Sequence, residues 1–429
     1  MHKYLVAFGF LVFMSSPFTF AESQKEIVSS PNILFIIADD MGKDAMKGFS
    51  EGSIKPNTPH INKLKGDGLN FTNFWTNPTC SPTRASIITG KYGYRTGVKR
   101  PGDKLDQSEK VLHQYIKDET NNQYATALIG KWHLSGSDRM FNPERFGIDY
   151  FAGITSGGTR SYTQWRLMAH GSSSFQNNYI TEKLTDLSIA WIKKQTQPWF
   201  LWLAYNAPHT PFHAPPAHMH SQGELGTYQR GGDPFPYYMA AIEAMDFQIG
   251  RLLAQLKDEQ RENTLIIFIG DNGSPRQVAQ KPYSSYQVKG SLYQGGINMP
   301  FFMTGKGVER VGEDHSLVNN TDLFTTIAQV AGSTTDKLYD SKSIVPLLSK
   351  KVSHREYVYI DSDDFNMKGC AIRDQQYKLI ALNSGTEKLY DLNADPYEKE
   401  NLISSEKQLS KKEEAALVRL REAIQEIRK

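Results

Sequence analysis

Four short apolar runs, each followed at once by polar residues, constrain the fold of this chain more than any other feature. Continuous apolar runs of five or six residues are typical of strands that are buried on both faces of a parallel sheet. The runs occupy residues 33–38, 125–129, 200–204 and 265–269. Helical patterns lie between them, most clearly over residues 234–256, where apolar side chains recur with helical spacing. This alternation predicts an α/β fold in which a large, mixed and mostly parallel sheet is sandwiched by helices.

Side chains that can bind ions or move protons follow each of these predicted strands. They are Asp39 and Asp40, then Lys131 and His133, then Asn206 and His209, and finally Asp271 and Asn272. In open α/β sheets, ligands bind beyond the carboxyl ends of the strands. The four coincidences therefore predict one shared functional site at that edge of the sheet.

The acidic residues at two of these strand ends suit a metal ion. Three carboxylates and one amide oxygen form a set of hard oxygen ligands of the kind that Ca²⁺ or Mg²⁺ prefers. The set comprises Asp39, Asp40, Asp271 and Asn272. Cysteine-rich zinc spacing is absent from the sequence. Taken singly, Asp39 and Asp40 are equally suited to capping a helix, and Asp271-Asn272-Gly273 to forming a turn.

Residues 80–84, with the sequence Cys-Ser-Pro-Thr-Arg, predict the beginning of a helix. Proline is tolerated in the first turn of a helix because the N–H that it lacks would have no partner there. The helix is expected to end near Gly90. Cys80 would then lie at a helix N-terminus, where unpaired N–H groups and the helix dipole favour an anion. We therefore expect Cys80 to face an anionic substrate.

The pattern Cys-x-Pro-x-Arg, formed by Cys80, Pro82 and Arg84, resembles the signature of the type I, formylglycine-dependent sulfatases of the alkaline-phosphatase-like superfamily. The resemblance covers residues 31–402, nearly the whole chain. Three further segments contribute to it: Gly-Lys-Trp-His at 130–133, Lys-Gly-x-x-x-x-Gly-Gly at 289–296 and a tail-like segment at 387–398.

The chain departs from the usual pattern of these sulfatases at three positions. Thr83 stands where serine is usual, and Ile88 stands where leucine is usual. Asn298 stands where an arginine is usual, which implies that a structural ion pair is lost or replaced.

The resemblance implies both a reactive group and a metal. Cys80 would be oxidised after translation to the aldehyde formylglycine (3-oxoalanine), and the maturation enzyme that does this is an implied partner. One hydroxyl of the aldehyde hydrate would attack sulfur to give a covalent sulfated intermediate, and loss of a proton from the other would release sulfate. One Ca²⁺ would be bound by Asp39, Asp40, Asp271 and Asn272, together with the modified Cys80.

The resemblance also assigns roles to five further side chains. Lys131, His209 and Lys289 would offset the charge of the sulfate, and His209 is the expected proton donor to the leaving alcohol. His133 would accept a proton from the aldehyde hydrate, and Arg84 would orient that hydrate. Taken alone, Lys131, His133 and Lys289 are equally typical of solvated side chains.

The predicted activity is hydrolysis of a sulfate monoester, with a sulfated carbohydrate as the expected substrate. Two alternatives stay open: a phosphonate or phosphate monoester hydrolase of the same superfamily, and a catalytically inactive sulfatase-like protein that binds sugar. Basic and aromatic loop residues suggest a sugar, although they could equally be solvated or simply pack. These residues are Arg95, Lys99, Arg100, Arg160 and Arg166, with Tyr162, Trp165 and Phe175. His213, His218 and His220 fit a surface or substrate-rim role better than a metal cluster.

The overall charge and the N-terminal residues bear on partners and location. The 49 basic and 46 acidic residues leave a net charge of +3, which argues against nucleic-acid binding. Lys3, the apolar segment 4–14 and Thr19-Phe20-Ala21 predict a signal peptide over residues 1–21, with a buried first strand or a membrane anchor as alternatives. Because the apolar segment is too short to span a bilayer, we expect a periplasmic or extracellular protein without stable membrane anchoring.

The sequence pattern changes after about residue 335. We predict a catalytic α/β domain over residues 26–335 and a small α+β subdomain over residues 336–429. The expected elements of the subdomain are short antiparallel strands at 357–360, 371–372, 377–382 and 388–392, and a charged helix at 406–428. A disulfide between Cys80 and Cys370, the two cysteines of the chain, is the alternative to a modified Cys80. Without it, Cys370 is expected to be a small buried hydrophobic residue.

Overall fold

A mixed sheet of ten strands lies at the centre of the protein, as a computed structural model of the chain shows. The structure describes residues 1–2, 30–364, 366–404 and 408–429. Beyond residue 2, the predicted signal peptide lies outside the described residues. The strands are β1 (Asn32–Asp39), β2 (Leu69–Trp75), β3 (Ala125–Lys131), β4 (Tyr150–Ile154), β5 (Trp165–Ala169), β6 (Ser172–Gln176), β7 (Trp199–Pro208), β8 (Thr264–Gly270), β9 (Phe301–Gly305) and β10 (Gly312–Asn319).

The four strands predicted from the apolar runs are neighbours in this sheet, in the order β8-β1-β7-β3. All three pairings are parallel, and Ile33 of β1 lies opposite both Phe200 of β7 and Leu265 of β8. The carboxyl ends of the four strands therefore meet at one edge of the sheet. Strands β5, β6 and β9 pair antiparallel with their neighbours, which makes the sheet mixed.

Helices cover both faces of the sheet, so the predicted fold class is confirmed. The α-helices of the described residues are α1 (Pro59–Gly66), α2 (Cys80–Thr89), α3 (Gly93–Thr96), α4 (Leu112–Glu119), α5 (Ile180–Ile192), α6 (Phe235–Ala254), α7 (Asp258–Glu262), α8 (Gln294–Ile297), α9 (Asp322–Ala331) and α10 (Lys411–Arg428). Successive side chains of a strand point to opposite faces. Ile33 and Phe35 of β1 accordingly pack in a core with α2, α4 and α9, whereas Leu34 and Ile36 pack in a second core with α5 and α6. Among the described helices, none combines the length and the apolar character needed to cross a membrane.

A second, antiparallel sheet lies in the C-terminal part of the chain. Its strands are β13 (Val358–Asp363), β14 (Lys368–Arg373), β15 (Tyr377–Leu382) and β16 (Glu387–Asp391), and the short pair β11 (Lys337–Leu338) and β12 (Ser341–Lys342) precedes them. Helix α10 packs on this sheet through Leu417 and Leu420. The helix begins later than predicted because Ser410 and Glu413 form a capping box at its N-terminus. The domain boundary near residue 335 stays a prediction.

A buried ion pair connects the second sheet with the segment that precedes α8. Lys378 of β15 donates to Glu398 and, at 2.6 Å, to the carbonyl oxygen of Leu292, and both charged side chains are fully buried. Replacing Lys378 with alanine should lower the free energy of unfolding by about 3–5 kcal/mol, because Glu398 would be left buried without its cation. Chemical denaturation measures the difference.

The matched control for this change is Lys388→Ala on the adjacent strand β16. Lys388 is only half-buried, and its ammonium group donates to the hydroxyl of Tyr293. Its loss should cost less than about 1 kcal/mol, as for other partly exposed polar contacts. Equal costs for the two changes would contradict the structural role of the Lys378–Glu398 pair.

Candidate active site

Four oxygen-bearing side chains meet beyond the carboxyl ends of β1 and β8, as predicted. Asp39 is the last residue of β1, Asp40 follows it with a positive φ of 71°, and Asp271 and Asn272 follow β8. The backbone N–H of Asp40 donates to Oδ1 of Asp271 at 3.1 Å, and Nδ2 of Asn272 donates to Oδ1 of Asp40 at 2.7 Å. All four side chains are buried.

Two of the converging oxygens have no hydrogen-bond partner among the described residues. They are Oδ1 of Asp39 and Oδ1 of Asn272, and both are buried. Buried acceptors normally accept a hydrogen bond or bind a cation, so a donor or a cation is expected beside these two oxygens. Ligand atoms of Asp39, Asp40 and His209 also lie within 4.8 Å of one another. The donor set therefore fits a hard divalent cation. His209, which was expected only to contact the substrate, would lie within reach of such an ion.

Two lysines face the carboxylates of this cluster. Nζ of Lys131 donates to Asp39 at 2.6 Å, and Nζ of Lys289 donates to the two oxygens of Asp40 at 2.5 and 2.6 Å. Burial raises the pKa of Asp39 to about 7, and the attraction of Lys131 opposes this only in part. Burial acts in the same direction on Asp40, but Lys289 and His209 outweigh it and hold the pKa of that carboxyl well below its usual range. An anion entering the site would thus meet two ammonium groups.

Helix α2 begins at Cys80, as predicted, and is followed by Gly90, which caps its C-terminus with a left-handed φ of 70°. The thiol lies against the catalytic edge of the sheet, with Sγ 3.1 Å from Nδ1 of His133. Burial raises the pKa of the Cys80 thiol, so the unmodified side chain is a weak nucleophile. Cys80 and Cys370 are both free and buried, which excludes the disulfide alternative. Contact between a metal and residue 80 stays a prediction.

His133 is held in a strained backbone conformation above the thiol. Its φ is 60°, and its N–H donates to the carbonyl oxygen of Thr155 at 3.2 Å. Burial, reinforced by the positive charges of Lys131 and Arg84, places the pKa of His133 well below its usual value. The ring is therefore neutral and can accept a proton.

His209 follows β7 and faces Asp40 across 3.7 Å through Nε2. Its Nδ1–H donates to the carbonyl oxygen of Thr210 at 2.7 Å, which leaves Nε2 as the nitrogen that faces the site. Burial lowers the pKa of His209 to about 3, although Asp40 opposes the shift. In the free protein this ring is therefore also neutral.

Arg84 connects three of the predicted site residues. Its Nε and Nη2 donate to Oδ2 of Asp271 at 3.2 and 2.8 Å, and its Nη1 donates to the carbonyl oxygen of Lys131 at 2.7 Å. Nη2 also lies 3.9 Å from Oδ1 of Asp39. Arg84 thus positions the carboxylate after β8 and the end of β3 relative to Cys80, four residues earlier in α2.

Two glycines that no sequence motif indicated lie against the histidines. A Cβ atom at Gly157 would stand 2.3 Å from the ring of His133, and one at Gly158 would stand 3.2 Å from the ring of His209. Only glycine fits the first position without displacing the imidazole. The only hint in the sequence is the Gly157-Gly158 pair itself, and no periodic pattern marks this pair as different from other loop glycines.

The other three predicted histidines lie outside this cluster. His213 stacks on Tyr162, with ring centroids 3.7 Å apart, and its Nε2 lies 3.1 Å from the hydroxyl of Tyr179. His218 and His220 line a separate cavity. Within the described part of the chain, Asp39, Asp40 and His209 are the one His/Cys/Asp/Glu group with metal-binding geometry. His213, His218 and His220 therefore form no metal cluster.

The loop residues considered for sugar contact divide into two groups. Tyr162 and Trp165 are buried and pack, and the hydroxyl of Tyr162 donates to the carbonyl oxygens of Asn206 and His209. Phe175, by contrast, is 58% exposed.

The basic loop residues also form two groups, those with acidic partners and those that line a cavity. Arg95 pairs with Asp340 at 2.6 Å, and Arg100 approaches Asp103 at 3.4 Å. These two arginines have structural partners, and the backbone N–H of Lys99 also donates to Asp103. Arg160 and Arg166 are exposed and line a cavity.

Two of the three departures from the sulfatase pattern, Thr83 and Ile88, are accommodated locally. The hydroxyl of Thr83 donates to backbone carbonyl oxygens, including that of Asp271 at 2.9 Å, and so acts as a serine would. Ile88 is fully buried in the core. Asn298 forms no ion pair, and its Oδ1 has no hydrogen-bond partner within the described residues.

A cavity of about 400 Å³ opens onto this cluster. Asp40 and Lys289 lie in its wall, together with Thr210, Arg276 and Asp364. The site therefore combines a nucleophile position at a helix N-terminus, a cation site and two ammonium groups with access to solvent. Such a set suits the hydrolysis of a small anionic ester group.

Family models match almost the whole described chain. The model described as "Sulfatase" matches residues 31–333, and the model described as "N-sulphoglucosamine sulphohydrolase, C-terminal" matches residues 285–428. The two matches overlap over residues 285–333, which include Lys289.

Three individual proteins illustrate the similarity, and each of them matches this chain over most of its own length. "Uncharacterized sulfatase YdeN" of Escherichia coli (strain K12) is 28% identical, over 84% of this chain and 74% of its own. "N-acetylgalactosamine-6-sulfatase" of Homo sapiens is 29% identical, over 78% of this chain and 69% of its own. The crystal structure of Ps i-CgsB in complex with k-i-k-neocarrahexaose superposes with a TM-score of 0.78 at 25% identity, over 93% of this chain and 92% of that one.

Proposed function

From the premise that the chain belongs to the sulfatase family, and is a sulfuric ester hydrolase, we propose that it acts through a formylglycine made from Cys80 and one bound Ca²⁺. The family and the alkaline-phosphatase-like fold that the sequence suggested are confirmed. The observation that carries the proposal is the meeting of the Cys80 thiol, two lysines and two unpaired buried oxygens at one edge of the sheet.

Asp39, Asp40, Asp271 and Asn272 are the residues that would hold the metal. Their hard oxygens and the unpaired Oδ1 atoms of Asp39 and Asn272 support Ca²⁺ as the ion. When bound, the ion supplies positive charge that polarises the sulfate group of the ester. The formylglycine, in its hydrated form, supplies a nucleophilic hydroxyl that a buried, protonated thiol lacks.

The side chains of this protein bind the anion and move its protons. Lys131 and Lys289 are held in place by Asp39 and Asp40, so they offset the charge of a sulfate without being reorganised. The neutral ring of His133 lies within hydrogen-bond reach of the side chain at position 80 and takes a proton from it.

His209 is the proposed source of the proton for the leaving alcohol. Its Nε2 faces the site, and the negative charge of a bound sulfate raises the pKa of the ring above that in the free protein. The ring can therefore bind a proton at Nε2 and deliver it to the departing oxygen. Thr210 keeps the ring in the required tautomer through its carbonyl oxygen.

The names of the similar proteins support a sulfated carbohydrate as the substrate. One is an N-acetylgalactosamine-6-sulfatase, and one was solved with k-i-k-neocarrahexaose. The predicted signal peptide supports export to the periplasm or the extracellular space, and conversion of Cys80 requires a maturation enzyme as a partner.

The test of the proposed function is co-expression with a maturation enzyme, followed by assays of sulfate release from an aryl sulfate and from sulfated sugars. We expect the peptide that contains Cys80 to carry an aldehyde in place of the thiol, and we expect sulfate release from at least one sulfated sugar. Faster hydrolysis of a matched phosphonate or phosphate ester would favour the other hydrolase of the superfamily. An aldehyde-bearing protein that releases sulfate from no ester contradicts the proposal.

Removing the metal should lower activity strongly. Chelation and dialysis should reduce kcat/KM by at least about 100-fold, because the repulsion between the carboxylates and the sulfate would no longer be offset. Adding Ca²⁺ should restore activity and raise the melting temperature by mass action. The variant Asn272→Ala, which lacks one unpaired oxygen, should show a smaller rise in melting temperature. Full activity in the dialysed protein would remove the four oxygen ligands from the proposed role.

A further inference from the structure

A second cavity, of about 450 Å³, lies beside the active site and is lined by three arginines. They are Arg139, Arg160 and Arg166, all of them exposed, and no described residue that lines the cavity is acidic. In contrast to the loop arginines at positions 95 and 100, none of the three forms an ion pair within the described residues. Three positive charges therefore line this cavity with no carboxylate among the lining residues. We refer to it as the arginine cavity.

Only a loop backbone separates the arginine cavity from the catalytic histidines. Residues 155–160 form this loop, and all of them except Gly157 line the cavity. On the inner side, a Cβ atom at Gly157 would clash with the ring of His133, and one at Gly158 would touch the ring of His209. Because neither glycine has a side chain, no side chain at these two positions stands between the two cavities. Gly158 lines the arginine cavity and also lies against His209, so a ligand longer than one sugar unit could reach from the catalytic histidines across this loop into the cavity.

The hairpin formed by β5 and β6 provides the far wall of the arginine cavity. Arg166 lies directly opposite Phe175 in the antiparallel register, so the two side chains point to the same face of the hairpin. Met168 and Ser173, which also lie opposite each other, share this face and line the cavity. An exposed aromatic ring beside a guanidinium group offers an apolar surface next to a positive charge. A sugar ring that carries an anionic substituent has the complementary surface.

We propose that the arginine cavity binds a second anionic group of the substrate, a sulfate or a carboxylate on a sugar unit next to the one that is desulfated. Arginine suits this role because its planar fork can donate two parallel hydrogen bonds to either group. The protein would then select polyanionic oligosaccharides over singly sulfated sugars. This inference rests on the proposed function, and it names the class of sulfated carbohydrate.

The experiment measures binding without turnover, by calorimetry on the Ca²⁺-loaded full chain carrying Cys80→Ser. Three probes are compared: a galactan oligosaccharide with two sulfates, a disaccharide with one sulfate and one uronate carboxylate, and galactose 6-sulfate. In the triple variant Arg139→Gln, Arg160→Gln and Arg166→Gln, the Kd of a doubly charged probe should rise by about 30-fold, whereas that of galactose 6-sulfate should change by less than about twofold. The probe whose Kd responds identifies the second group as sulfate or carboxylate.

The matched control is Arg261→Gln in α7, an exposed arginine near the amino end of β8 and thus at the opposite end of the sheet. It should leave all three dissociation constants unchanged, and melting curves verify that each variant is folded. Equal weakening of singly and doubly charged probes in the triple variant would overturn the proposal. A Cys80→Ser protein that binds the doubly charged probes no more tightly than galactose 6-sulfate would overturn it as well. Since no turnover is required, these outcomes are independent of whether the matured enzyme releases sulfate.

Discussion

Replacing Cys80 with serine should lower sulfate release by at least about 10⁴-fold in a host whose maturation system requires cysteine, because the nucleophile itself is lost. A serine hydroxyl at the start of α2 keeps the size of the side chain and its proximity to His133. It cannot form an aldehyde hydrate, so any ester formed with sulfate would have no internal route of release. Sulfate release at saturating substrate, combined with the mass of the peptide that contains residue 80, measures the effect.

The second cysteine of the chain provides the control for this result. Cys370 is buried in β14 and packs in the core beneath α10, away from the site. Cys370→Ser should keep kcat/KM within about threefold of the original, since changes away from the reacting groups leave transition-state stabilisation intact. Undiminished activity of Cys80→Ser would exclude the formylglycine mechanism, even if the protein remained a sulfatase by another route.

Replacing Asp271 with alanine should have the next largest effect, on both activity and stability. The carboxylate accepts two hydrogen bonds from Arg84, whose side chain is only 1% exposed, and one from the backbone N–H of Asp40. Leaving the Arg84 guanidinium buried without its partner should lower the free energy of unfolding by about 3–5 kcal/mol. Loss of a metal ligand at the same position should lower kcat/KM by at least about 10³-fold.

Two further substitutions separate these contributions. Asp271→Asn keeps the shape and one acceptor oxygen but removes the charge, so its loss of stability should be smaller while its loss of activity stays large. Asp258→Ala, an exposed carboxylate in α7, should change neither quantity measurably. Denaturation curves and steady-state kinetics on the same preparations test both. A stable and fully active Asp271→Ala protein would show that the Arg84–Asp271 pair has no role in the site.

The features that could be predicted from the sequence are those that local chemistry encodes. Continuous apolar runs identified the four central strands, and the polar residues after them identified the site, because strand ends of a parallel sheet meet by geometry. The helix at Cys80 followed from Pro82 and Gly90, whose backbone preferences are intrinsic. All the catalytic and metal-binding candidates fall in one cluster, although their individual roles stay predictions.

The features that could not be predicted depend on contacts between distant segments. The positive φ values of Asp40 and His133 have no signal in the local sequence, since neither residue type requires them. The partner of Lys378 is fixed by the packing of β15 against a later loop. The sequence around Tyr162 does not indicate whether this side chain packs in the core or faces a ligand. Its burial decides between the two roles, and burial depends on the whole fold.

The assembly of the site from separate strand ends also couples catalysis to chain topology. The hydrogen bonds that define it join residues 92, 187 and 249 positions apart in the sequence. Contacts between residues so far apart in the sequence form late in folding. The entropic cost of closing long loops must be met before such contacts stabilise the chain. A chain that ends before Lys289 lacks part of the centre, so the site is complete only when segments from Asp39 to Lys289 have come together. Recovery of activity after refolding would therefore report completion of the native topology, rather than formation of helices or early collapse.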